Sequence, residues 1–255
     1  MGVVIAGRDI LATVATRKRL QALFKVTLAD TKVPQLHRQH LEHFYRELPW
    51  VRWPYQAVKI GSWDAPFTLL PAAYAHVPLE EIGAIMHSST SEWVCPSSTL
   101  GYQVAFHADK GLQEWVKQSF DRPTLLHPWQ SVLPMWQKEG RLINGKHVRI
   151  HVHMDRLHLA VLDQSEIILV NSFDYSTAED FLYFALLAYE QLDIDVNEHP
   201  LILSGEISRA GQLFPLLYRY IREIRFMNWP NDWKIGDFTG DIPGHYYIDG
   251  LALLS

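Results

Sequence analysis

Cys95 is the only cysteine in the chain. It cannot close an internal disulfide or build a cysteine-cluster zinc site, so neither staple supports the fold. Blocks of like charge are missing as well: 23 Lys and Arg stand against 28 Asp and Glu, a net charge of −5. That balance argues against the basic footprint of a nucleic-acid binder and against a polybasic membrane anchor. Long apolar runs are also absent. Only Gly2–Ala6 precede Arg8, far short of a signal-peptide core, and Phe181–Tyr189, the longest helical apolar stretch, is too short to span a bilayer. Gly and Pro, 14 of each, are too few for a collagenous or low-complexity chain. These absences point to a cytoplasmic protein with no nucleic-acid partner and no direct membrane insertion.

What the chain does have is aromatic and apolar mass. Nine Trp, 11 Tyr and 11 Phe within a 48% apolar composition need a buried home, which excludes global disorder. With 255 residues it is long for one simple core and short for two full-sized domains.

Along the chain, residues 1–31 alternate short β-branched runs with polar breaks, the pattern of two or three antiparallel strands. Thr31 or Asp30 then caps a helix carrying Val33, Leu36, Phe44 and Leu48 at helical spacing, with Pro34 in its first turn and Pro49 as its stop. Extended runs at 55–63 and 66–74 follow, with a turn at Asp64, then a short helix near 78–87 and a Ser/Thr/Pro-rich loop at 88–99. A strand at 102–108, a helix at 111–120, a brief strand at 124–128 and a helix at 129–138 lead to a break at Gly140–Gly145. The pattern then restarts. Residues 146–175 read as a three-stranded meander, and Ser176 with Glu179 as a capping box for a helix to Gln191. PLILSGEI (200–207) reads as a strand buried on both faces, and 209–224 as a further helix. The fold class is therefore α/β with mixed sheets, in two topologically alike halves, 1–145 and 146–255.

Three antiparallel strands followed by alternating helices and strands, twice over, resemble the ribonuclease-H-like halves of the actin-like ATPase fold. Asn171, Phe173, Tyr175, Thr177, Glu179, Asp180, Phe181, Tyr183, Ser204 and Gly205 match the N-x-F-x-Y, T-x-E-D-F-x-Y and Ser-Gly pattern of an uncharacterised Bacteroidetes family, DUF3822. The segment FTLLPAAY and the tail HYYIDGLALL also look familial. The resemblance implies an actin-like ATPase fold, related in shape to pilus and type II secretion assembly proteins, and no established activity.

Members of that fold that hydrolyse ATP hold the triphosphate between two Asp-x-Gly hairpins, where Gly admits the phosphates and Asp organises Mg²⁺. Here the first hairpin, AGRDI, keeps Gly7 but has Ile5 where the acid belongs. The second, HVHMDRLH, has no Gly. The adenosine strand ends Ser204-Gly205-Glu206, which brings a carboxylate toward the phosphates instead of Gly-Gly-Ser/Thr. All three elements are degraded, so the chain is expected not to be an enzyme, with no cofactor, no metal and no catalytic residues. The leading expectation is a pseudo-ATPase scaffold for an unknown protein partner. The alternative is a small-ligand or nucleotide-binding protein, with Gly7, Arg8, His153, Asp155, Arg156, Ser204, Gly205 and Glu206 lining the space between the halves.

Other constellations are weaker. His151, His153, Asp155 and His158 nearly spell a metallo-hydrolase ligand run, and His147, Arg149, His151, His153 and Asp155 share one strand face. An antiparallel sheet commonly turns such a face to water, which makes a solvated polar face the simpler reading. His37, His40 and His43 step around a helix and cannot converge on one ion. Cys95 has no local nucleophile signature, and Ser89, Ser91, Ser97 and Ser98 lack a nucleophile elbow. Trp50, Trp53, Trp63, Trp129, Trp136, Trp229 and Trp233 lie near element ends, where core and edge packing is the default role and an exposed patch would mark an interaction surface.

Overall fold

A computed structural model describes residues 1–27, 38–74, 76–78, 81, 93–95, 101–235 and 243–255, with the main chain alone for 38–40. The cap at Asp30 or Thr31, with Val33, Pro34 and Leu36, lies outside the described residues, as do His37, most of the 78–87 helix, and Ser89, Ser91, Ser97 and Ser98. Among the described residues, no helix is long and apolar enough to cross a membrane.

The chain divides into two compact units. One holds Met1–Ser131, Lys234 and Gly250–Ser255; the other holds Val132–Trp233 and the stretch that ends at Asp249. The division thus falls at Ser131, not at the glycine break near 145, and the last residues belong with the first unit. Gly145 is a turn residue at φ 75° leading directly into a strand, so that break is local punctuation and not a linker.

In the first unit, β1 (Gly2–Ala6), β2 (Asp9–Thr16) and β3 (Arg19–Thr27) form the expected antiparallel meander. The strands β4 (Val58–Ser62) and β8 (Pro123–Leu126) then add in parallel, giving the order β3-β2-β1-β4-β8. A smaller antiparallel sheet joins β5 (Phe67–Pro71), β7 (Tyr102–His107) and β6 (Trp93–Val94) in the order β5-β7-β6. The helix α1 (Arg38–Glu47) buries Leu41 and Phe44, and α2 (Lys110–Ser119) buries Trp115 and Val116, in one core with Val3, Ile5, Ile10 and Ile60. Pro49 ends α1 by opening a 3-10 turn, and His43 lies on its exposed flank.

The second unit repeats the plan. The strands β9 (Lys146–His153), β10 (Arg156–Asp163) and β11 (Glu166–Asp174) are an antiparallel meander, and β12 (Leu201–Gly205) and β13 (Ile224–Phe226) run parallel to β9. The order β11-β10-β9-β12-β13 is that of the first sheet, element for element. On one face Val148, Ile150, Val152, Leu157, Leu159, Leu201 and Leu203 meet Phe181, Ala185 and Ala188 of α4 (Ala178–Gln191). The intervening helix α3 (Trp129–Gly140) precedes β9, and α6 (Ile248–Leu254) ends the chain.

Two local expectations shift. The capping box lies one residue downstream of Ser176/Glu179. Thr177 is the N-cap, its hydroxyl accepts from the Asp180 N–H, and the Asp180 carboxylate accepts from the Thr177 N–H. A Ser at 176 and a Thr at 177 both fit the start of the motif, but the Thr177 hydroxyl is the one that accepts from the Asp180 N–H. Tyr183 on the other side of α4 is 60% exposed, so this helix is covered on one side only.

The second shift concerns 209–224, where the helix is only α5 (Leu213–Leu217). Bonds from Arg219 to Leu216 and from Tyr220 to Leu217 tighten its end into 3-10 geometry, and the chain then enters β13, since β12 needs a parallel neighbour.

Most tryptophans follow the default. Trp63, Trp93, Trp115, Trp129, Trp136 and Trp233 are buried, and Trp53 alone among the described ones is largely exposed.

Truncating Phe181 to Ala removes a fully buried ring and is expected to cost about 3–5 kcal/mol. Thr177→Ala removes one cap and should cost about 1 kcal/mol. Chemical denaturation of the two variants beside the parent measures both; equal effects would show that α4 does not anchor its core.

Candidate functional site

Strand β9 lies third of five in its sheet, so both of its edges are hydrogen-bonded, and all but its first residue are buried, so both of its faces are covered. One face is the apolar core. The other, expected to be solvated, is buried: His147, Arg149 and His151 are each exposed by 1% or less, and His153 by 8%. The expectation fails because other parts of the second unit cover this face. Glu139 of α3 accepts a hydrogen bond from Arg149 Nη1 at 3.0 Å, and Trp136 packs under the same guanidinium at 5.8 Å. Gly140 makes this approach possible, because a Cβ there would sit 2.0 Å from the Gln164 carbonyl oxygen. Residues 243–249 cover the other end of β9.

Cross-strand register turns the histidines into a polar row. Ser172 of β11 pairs with His158 of β10, His158 with His151 of β9, and His151 with Ser204 of β12. At each end a serine hydroxyl holds an imidazole Nδ1: Ser172 Oγ to His158 at 2.8 Å and Ser204 Oγ to His151 at 2.9 Å. Two residues along β9, on the same face, His153 brings its Nε2 to 3.1 Å from the Nε2 of His151. The third member is Asp249 of α6, fully buried, with Oδ2 3.0 Å from His153 Nε2 and 3.5 Å from His151 Nε2. These three groups are the described residues best placed to hold a metal ion.

Charge follows this geometry. Burial opposes the charged form of Asp249, yet His151 and His153 outweigh it and hold the carboxyl well below its usual range. Burial likewise opposes a charge on His153, but Asp249 and Glu206 prevail and raise its imidazole. His151 goes the other way, lowered by burial despite Asp249.

The anticipated lining residues fall in several places. Gly7, at φ 54°, and Arg8 form the β1–β2 turn of the first unit, where the Gly7 N–H donates to both carboxylate oxygens of Asp64, at 2.9 and 3.0 Å. In the second unit, His153, Ser204, Gly205 and Glu206 cluster around the ends of β9 and β12. Asp155 does not join them: it is exposed in the β9–β10 turn, beside Met154 at φ 36°. Arg156 pairs with Asp174 on the neighbouring strand. The residue that sequence reasoning missed is Asp249. Its one signal was a lone carboxylate in the otherwise apolar IDGLALL helix.

Gly205 closes the site from below. At φ 81°, its Cβ position would lie 2.2 Å from the Val152 carbonyl oxygen, so only glycine fits. Its N–H donates to the His245 carbonyl at 2.7 Å, and the Glu206 N–H donates to the Val152 carbonyl at 2.8 Å. Cys95, half-buried with its thiol 3.2 Å from Gln103 Oε1 and pushed up by burial, has no nucleophile's setting.

A family model described as a protein of unknown function (DUF3822) matches residues 11–224. Among curated proteins none matches. Solved structures do. One is a Bacteroides thetaiotaomicron protein with an actin-like ATPase fold and unknown function: TM-score 0.81, 19% identity, 99% of this chain and 95% of that one. A second is the PilM–PilN type IV pilus biogenesis complex, with a TM-score of 0.66, 13% identity and coverage of 99% and 96%. A third is the ethanolamine utilization protein EutJ from Carboxydothermus hydrogenoformans, with a TM-score of 0.54, 11% identity and coverage of 100% and 89%. The TM-scores, at identities below 20%, show a shared actin-like fold and nothing beyond it.

Two predictions follow from the buried polar groups. Burial lowers His127, in the first unit, from 6.5 to about 3, and burial with the Arg149 charge lowers His147 to about 4. The unfolded chain therefore binds more protons than the folded one below pH 6.5, and stability falls as pH drops from there toward 4. Melting temperatures at pH 7 and pH 5 should show that loss, and His147→Gln should shrink it. Gly205→Ala adds a Cβ against the Val152 main chain and a strained φ, and should cost at least about 2–3 kcal/mol by urea denaturation.

Proposed function

The chain belongs to this family of unknown function, DUF3822, and we propose that it is a degenerate, non-catalytic member of the actin-like fold that serves as a scaffold for a protein partner. The observation that carries this reading is where its backbone amides point. In ATP-hydrolysing members the amides at the first hairpin and at the end of the adenosine strand face phosphates. Here Gly7 N–H is taken by Asp64, Gly205 N–H by the His245 carbonyl, and Glu206 N–H by the Val152 carbonyl. A phosphate at Gly7 would have to displace a carboxylate, and one at Gly205 would meet the Glu206 side chain.

Catalysis of another kind has equally little support. Ser204, His151 and Asp249 are each exposed by 1% or less, so a hydroxyl beside two imidazoles and a carboxylate has no access to substrate. A protein partner is the natural ligand for such a module, and the related PilM structure is itself that of a complex with PilN. A cytoplasmic setting agrees with the single free cysteine. A second reading, small-ligand binding, draws on a cavity of about 300 Å³ within the first unit, lined by Ser62, Asp64, Phe106, His107 and Asp109.

Isothermal titration with Mg-ATP, paired with a phosphate-release assay, tests the proposal. No binding heat and release at the background rate are expected. Micromolar affinity together with hydrolysis above background would sink it. Thermal-shift screening of nucleotides would reveal the small-ligand alternative, since a ligand of the native state must raise the melting point.

A further inference from the structure

We infer that His151, His153 and Asp249 form a binding site for one divalent transition-metal ion of the zinc class, which ties the start of the C-terminal helix to the central strand of the second unit. The distances support it first. His151 Nε2, His153 Nε2 and Asp249 Oδ2 are 3.1, 3.0 and 3.5 Å apart, a nearly equilateral triangle of three donors. Donors bound to tetrahedral Zn²⁺ at about 2.0–2.1 Å are separated by roughly 3.3–3.4 Å, so the three atoms already stand close to ligand spacing.

The chemistry of the donors is the second support. Two imidazoles and one carboxylate are a set that divalent ions such as zinc accept, with a water completing the tetrahedron. Two ring nitrogens and a carboxylate oxygen so close together need a shared proton or a cation between them. A proton on one nitrogen bridges one pair at a time, whereas a divalent ion satisfies all three at once.

The surroundings orient the ligands in the way metal sites require. Ser204 Oγ lies 3.4 Å from the Ile150 carbonyl, to which its hydroxyl donates, and 2.9 Å from His151 Nδ1. With that hydroxyl proton committed, Oγ accepts from His151 Nδ1–H. The tautomer left on His151 presents the Nε2 lone pair to Asp249 and His153. Glu206 lies 3.9 Å from His153 Nδ1 and biases that ring in the same sense. Ser204 and Glu206 are thus positioning residues for the two histidine ligands.

The test uses the full chain made without a polyhistidine tag, stripped by chelator and titrated with Co²⁺. One equivalent should bind with the visible absorption of four-coordinate cobalt, and Zn²⁺ should abolish the band and raise the melting temperature. Asp249→Asn should lose the band, while His43→Gln, on the exposed flank of α1, should leave it unchanged. Ser204→Ala removes only a hydroxyl and should weaken Zn²⁺ about 10–100-fold while keeping the four-coordinate spectrum. That variant keeps the test decisive if Asp249→Asn fails to fold. No band in the parent chain, a band that survives in Asp249→Asn, or unchanged affinity in Ser204→Ala would each overturn the assignment.

Discussion

The second unit depends on strand β9 being covered on both faces while carrying a basic row along one of them. Val148, Ile150 and Val152 satisfy the apolar face by ordinary packing. The opposite face cannot be satisfied that way. Arg149, His151 and His153 bring polar atoms into a place without bulk water, where each unpaired group costs more than a typical hydrogen bond returns. Glu139, Trp136, Ser204 and Asp249 are positioned by this requirement. The approach of α3 at Gly140 and the path of residues 243–249 follow from it.

The same burial explains how both hairpin regions satisfy their own backbone groups. Both hairpins keep their position in the sheet, since the register β1–β2 and β9–β10 is that of a meander. Gly7 still supplies a positive φ and an outward amide, but Asp64 accepts its N–H. At the second hairpin, Met154 takes the turn at φ 36° without a glycine, and the histidines before it face Asp249. Gly205 survives for a packing reason, the closeness of the Val152 main chain.

Much of the architecture was legible in the chain. Period-two alternation marked the strands, the HVHMDRLH segment drew attention to β9, and the continuous apolar PLILSGEI gave the central parallel strand. The errors were local. The cap moved from Ser176 to Thr177, because two adjacent hydroxyl residues, each followed three residues later by an acid, fit the motif equally. The helix expected over 209–224 shrank to Leu213–Leu217, because its end tightens into 3-10 turns at Arg219 and Tyr220 before Ile224 pairs with β12.

Sequence by itself determined the succession of strands and helices that repeats across the two units, the cap that opens α4, and the absence of an acid at Ile5 and of a glycine in HVHMDRLH. Each is written in neighbouring residues, through periodicity, caps or a missing side chain. Tertiary structure alone decided whether the His151 face meets water or protein. Strand periodicity shows that two faces differ, not what covers each of them. It also decided which carboxylate joins the histidines: Asp155, two residues past His153 in the turn, is exposed, while Asp249, near the end of the chain, is buried against both rings. No spacing rule links residues brought together only by the fold.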